Sequence, residues 1–158
     1  MKKMICCILA LLAICTAALG EMPYETVRLN FEDGFSLSLP ASWVSYEVPG
    51  ELSEQGFLYC LGSSDAAQLM YIQRWPADCI DLDGLKTELV SREEIVLGSS
   101  LASASGASFL MYNFAEADCS GCMTLLDGDV LNLLFLPQSD EDAMLIAATV
   151  MDSYAALD

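Results

Sequence analysis

Few residues in this sequence have the types and spacing that chemistry demands. Cys119 and Cys122 stand three positions apart in "ADCSGCM", with Ser120 and Gly121 between them, while Cys60 and Cys79 lie 19 apart upstream. A pair so spaced can be a redox dithiol, half of a metal site, or a staple across a tight turn. A redox pair wants its first thiol at a helix N-terminus in positive surroundings, where the thiolate is stabilised. Here Glu116 and Asp118 precede it, and no helical pattern follows. A four-cysteine zinc site wants a second close pair, which Cys60 and Cys79 do not supply. A staple needs only that residues i and i+3 of a turn approach within disulfide reach. The spacing therefore predicts structural disulfides, with Cys119, Cys122, Cys60 and Cys79 as the candidates and all three pairings open. Loop closure would contribute ~2 kcal/mol for the short pair and ~3 kcal/mol for a bridge from Cys60 to Cys79.

Histidine is absent, which removes the Ser-His-Asp and Cys-His arrangements together with the commonest general base and zinc ligand. Carboxylate pairs exist at Asp81/Asp83, Glu93/Glu94 and Asp127/Asp129. Each falls at a cap or turn, where acidic residues are ordinary, and nothing nearby would drive their pKa values apart. "DLDG" from Asp81 opens like a calcium loop, but Leu85 replaces the third ligand and Arg92 stands where the closing Glu belongs. No catalytic residue, metal or cofactor is expected.

The elements that would position these residues begin after a leader. "MKKMICCILALLAICTAALGE" has Lys2 and Lys3, an apolar run from Met4 to Leu19, and small Ala18 and Gly20 before Glu21. That is the layout of a secretory signal peptide over residues 1–20. Cys15 is not expected to carry lipid, because Ile14 stands where the processing motif wants a small residue. Residues 21–158 then form a single domain with room for a real core. Processing removes two of the six Lys and Arg and none of the 23 Asp and Glu, so four face 23, a balance of −19. Nucleic acid and anionic membranes both reward dense positive charge and are excluded as partners. No later stretch is long enough to span a membrane.

"VRLNFEDGFSLSLP" holds two alternating runs, and a three-residue loop at Glu32, Asp33 and Gly34 would pair Phe31 with Phe35 and Leu29 with Leu37. Pro40 ends the second run, and Trp43 is a core anchor. "YEVPGELSEQG" reads as an exposed loop, followed by "GFLYCLG" and "QLMYIQRW" as strands. Leu82, Leu85 and Leu89 recur at helical intervals behind Asp81 as a cap. "EEIVLGSSLASASGAS" predicts a short strand and a turn at Gly106. Three strands then follow, "SFLMYNFAEAD", "CMTLL" and "VLNLLFLP", turning at Ser120-Gly121 and at Asp127-Gly128. The last is apolar on both faces, so both sides of the sheet must be covered. A closing helix begins at Ser139 with a Ser139/Asp142 capping box and buries Met144, Ala148, Met151 and Ala155.

"FSLSLPASW" near the start, a central helix, antiparallel strands, and "LNLLFLPQSDEDAMLIAATVMDSY" as a strand running into a closing helix resemble the PsbP-like fold family. That family includes the extrinsic photosystem protein, a Ran-binding import factor and bacterial DcrB-type envelope proteins. The resemblance implies an α+β fold, an antiparallel β-sheet sandwiched by helices (α/β/α), whose members act mostly through surfaces that bind protein partners. It carries over no functional residue. The strong acidity and the cysteine pair depart from the family's pattern. The expectation is thus a secreted or envelope-associated bacterial protein without enzymatic activity, binding an unidentified protein partner. The alternative is a thiol-disulfide or thiol-metal protein using Cys119 and Cys122.

Overall fold

The computed structural model describes residues 24–157; the expected leader and Cys15 lie outside them. Strands β1 (Thr26–Phe31) and β2 (Phe35–Pro40) form the first hairpin, in the register that hydrophobic alternation demands, with Phe31 opposite Phe35 and Leu29 opposite Leu37. Gly34 makes this possible: at φ 87° it takes the left-handed conformation, and its amide closes the turn onto the Phe31 carbonyl. The short β3 (Val44–Tyr46) ends where the stretch expected as loop begins, and the single turn α1 (Gly50–Ser53) lies within that stretch. β4 (Phe57–Gly62) and β5 (Leu69–Pro76) follow as expected strands.

Next come α2 (Leu82–Val90), β6 (Ile95–Ala102), β7 (Ser108–Phe114), β8 (Ser120–Leu126), β9 (Asp129–Leu136), α3 (Glu141–Asp152) and the two-residue β10 (Ala155–Ala156). Asp81 caps α2, its carboxylate accepting the Gly84 amide at 2.8 Å, and Leu85 and Leu89 are buried as their spacing predicts. The cap of α3 falls one residue later than expected. Asp140 accepts the Ala143 amide at 2.9 Å, while the Ser139 hydroxyl donates to Asp118 at 2.6 Å and ties the β7–β8 connection to the helix start. Ala155 lies beyond this helix, in β10.

Seven strands build an antiparallel sheet in the order β3-β4-β5-β9-β8-β7-β6, and β1, β2 and β10 build a separate small sheet. β9 sits at the centre, paired with β5 and β8, and both of its faces are buried. On one face, Met70, Ile72, Leu131, Leu133 and Phe135 pack against α3 and against Phe35, Leu37 and Leu39 of the small sheet. On the other, Val130, Leu134, Leu110 and Met123 pack with Leu85 and Leu89 of α2. The layered α+β architecture implied by the resemblance is the one present. The hairpin is held from the far end of the chain: Ala155 and Ala156 pair with Ser36 and Phe35, the Leu157 amide donates to the Gly34 carbonyl, and the Ser38 amide donates to Ser153.

One turn is misplaced by the sequence reading. Asp127 and Gly128, at φ 55° and 86°, do form the β8–β9 turn. Ser120 and Gly121 form no turn; they are buried in β8, and the chain reverses earlier, between Phe114 and Cys119. Gly121 faces Tyr112 of β7, whose ring lies where a Cβ would stand. The glycine makes room for an aromatic ring across the strands.

Candidate functional site

That register decides what the cysteines can do. Cys119 and Cys122 lie along one extended segment, three residues apart, which places their Cα atoms at ~10 Å against a disulfide limit of ~7 Å. Their side chains also diverge: Cys122 belongs to the core under α3 and Cys119 to the core under α2. The expected staple across a turn at Ser120-Gly121 is therefore corrected to two separate thiols. Cys60 sits on β4 opposite Tyr71, four strands along the sheet from the β6–β7 region that α2 covers, and Cys79 packs beside Gly84 of α2. Cys60 and Cys79 are not bonded to each other. All four sulfurs are free thiols.

The environments of Cys119, Cys122 and Cys60 are the reverse of those that activate sulfur. Burial pushes the Cys119 thiol up to about 11, with the neighbouring Asp118 charge adding to the rise. Burial alone pushes Cys122 higher still, and it raises Cys60 against the opposing pull of a hydrogen bond with Tyr71. A thiolate nucleophile or metal ligand needs the opposite shift. Among the described residues, no three Cys, Asp or Glu side chains converge as a metal-holding group.

Three of the carboxylates singled out by spacing, Asp81, Asp127 and Asp129, have structural roles. Asp81 is a helix cap, and Asp129 pairs with Arg74 at 2.6 Å. Asp127 shapes a turn, Glu93 and Glu94 lie in the exposed α2–β6 connection, and Asp83 stands in the first turn of α2. Arg74 also donates to the Asp33 carbonyl at 2.8 Å, while the Asp33 carboxylate accepts the Tyr59 hydroxyl at 2.7 Å. Burial first, and then that hydrogen bond, push the Tyr59 hydroxyl up to about 12. These contacts knit the β1–β2 turn to β4, β5 and β9.

A different feature stands out on the α2 side of the large sheet. α2 lies against β6 and β7, at one end of that face. Toward the other end, strand alternation brings Val44, Tyr46, Phe57, Tyr71, Trp75 and Leu136 to the same side. All are half-buried except Val44, which is 40% exposed. Phe57 and Tyr71 meet edge to face at 5.8 Å. Beneath them runs a buried polar chain in which the Tyr112 hydroxyl donates to Asn132 at 2.8 Å and the Asn132 amide donates to Gln73 at 3.1 Å. Sequence reasoning missed this surface, although its signal was present. "QLMYIQRW" is apolar on both faces, Met70 and Ile72 on one and Tyr71 and Trp75 on the other.

No protein-family model and no curated protein matches the chain. Among solved structures, the solution structure of cyanobacterial PsbP (CyanoP) from Synechocystis sp. PCC 6803 is similar, with a TM-score of 0.56 at 16% sequence identity, covering 88% of this chain and 99% of that one. At that identity the likeness is one of fold, and it extends over nearly the whole chain.

Proposed function

We propose that this chain is an exported domain of the PsbP-like fold, akin to the DcrB-type envelope proteins, that binds a protein partner and performs no bond chemistry of its own. Residues 1–20 direct export, and residues 21–158 act as one unit in the bacterial envelope or outside the cell. The observation that carries this reading is the placement of Cys119 and Cys122. The motif that most suggested reactivity is split between two cores, with both thiols shifted away from ionisation. The likeness of fold to cyanobacterial PsbP supports it, as does the acidic composition, which suits a secreted protein. No observation favours the dithiol reading.

Two measurements test the proposal. Alkylation of the natively processed protein at neutral pH should leave Cys119 and Cys122 unmodified until the protein is unfolded. Cross-linking in the producing organism's exported fraction should give one saturable protein adduct. Rapid alkylation of Cys119 would return the dithiol reading, and turnover of a disulfide substrate would refute the absence of chemistry.

A further inference from the structure

The seven-stranded sheet has one face it covers well and one it does not. Seven strands at ~4.8 Å spacing make a face ~29 Å wide, while a helix with its side chains covers ~10 Å. The face toward α3 is closed by that helix together with the small sheet, and its apolar side chains are mostly buried. The opposite face has α2 alone at the β6–β7 end, and there the half-buried apolar side chains outnumber the buried ones. The single turn α1 touches β4 but buries none of its own residues. The remaining width, across β3, β4, β5 and β9, spans three strand spacings, or ~14 Å. One further helix lying beside α2 would fit that width.

The charge around this area states what kind of helix. The connections flanking these strands, residues 47–56, 63–68 and 77–81, carry Glu47, Glu51, Glu54, Asp65, Asp78 and Asp81 and no Lys or Arg. The one cation within the four strands, Arg74, is held by Asp129. A second copy of this chain would bring a further −17, or −19 after processing, to an already acidic rim. Tyr24 packs against the core on the α3 side, across the sheet from this area.

We propose that the uncovered β3–β4–β5–β9 half of this face is the docking site for an amphipathic helix of a partner protein, apolar on the side that meets Tyr46, Phe57, Tyr71 and Trp75 and bearing Lys and Arg along its flanks. The inference rests on the binding function proposed above and names the surface and the partner's chemistry. The aromatic rings supply apolar area and faces for cations, while the acidic rim speeds encounter and selects sign.

The test uses the natively processed protein and two synthetic probes, an amphipathic helix of leucine and lysine and its counterpart of leucine and glutamate, followed by amide NMR. The expected result is saturable binding of the lysine helix, with shifts confined to β3, β4, β5, β9 and α1, and none for the glutamate helix. Glu51→Lys with Glu54→Lys, both exposed, should weaken binding about tenfold and flatten its salt dependence. Tyr71→Ser should weaken it at all salt concentrations, and the rim variant keeps the test valid if Tyr71→Ser fails to fold. Shifts centred on β1 or β6, equal binding of the glutamate helix, or dimerisation of the free protein through Tyr71 and Trp75 would each overturn the assignment. A cross-linked natural partner whose footprint lies elsewhere would sink this site and leave the binding function standing. Absence of any partner would sink that function itself.

Discussion

At Gly121 a side chain is missing because the ring of Tyr112 occupies its place. Neighbouring Ser120 and Cys122 are buried, so "CSGC" is a stretch of strand whose residues alternate between two cores. Burial makes Cys119 a pH-sensitive element of stability. Its folded pKa is raised from 9.0 to about 11. Between those values the unfolded chain sheds a proton that the folded chain keeps, so the contribution is fully present below pH 9 and is lost as pH rises toward 11. Melting followed by circular dichroism should show Tm falling by on the order of 5 °C across that window. Cys119→Ala should remove part of the slope; an identical slope in the variant would show that the thiol is not sequestered. The sequence made the cysteines visible as candidates but could not say whether the glycine beside them bent the chain or admitted a ring. That depends on which residue lies across the strands, and Tyr112 is nine positions away.

Local chemistry was legible at the level of elements wherever it was self-contained. The β1–β2 register followed from alternation plus one glycine, and α2 followed from three leucines and an aspartate cap. The start of α3 was less legible because two consecutive residues, Ser139 and Asp140, are both of types that cap helices. The structure separates their roles, with Asp140 as the cap and Ser139 bonded to Asp118. Asp140→Ala should therefore lower stability to urea by ~1 kcal/mol, the usual worth of a lost cap. Ser139→Ala should cost less, because its exposed hydroxyl bond is replaced by water. A larger loss for Ser139→Ala than for Asp140→Ala would restore the capping box read from the sequence.

For the molecule as a whole, the double-sided apolar character of β9 correctly required cover on both sides of the sheet. It did not reveal that a second small sheet shares one side with α3, since two residues of β10 joining β2 leave no pattern in the sequence. Nor did it reveal how unequal the two covers are, because the width of a face depends on strand order. The charge has its own consequence at this scale. With a net charge of −17 and only two ion pairs among the described residues, Arg74 with Asp129 and Arg92 with Glu88, self-repulsion outweighs pairing. Raising NaCl from about 20 to about 500 mM should raise Tm by a few degrees through screening. A fall over that range would mean that the two pairs dominate the balance.

The closing of the first hairpin by Ala155, Ala156 and Leu157 joins residues separated by almost the whole described chain. Contacts so distant in sequence form late, since the intervening loop must be closed first. A ribosome releases such a chain from its beginning, and β2 waits without its second neighbour until residues 155–157 emerge. The stitch by residues 155–157 therefore belongs to the late steps of folding, and the first hairpin gains its third strand only once they are in place.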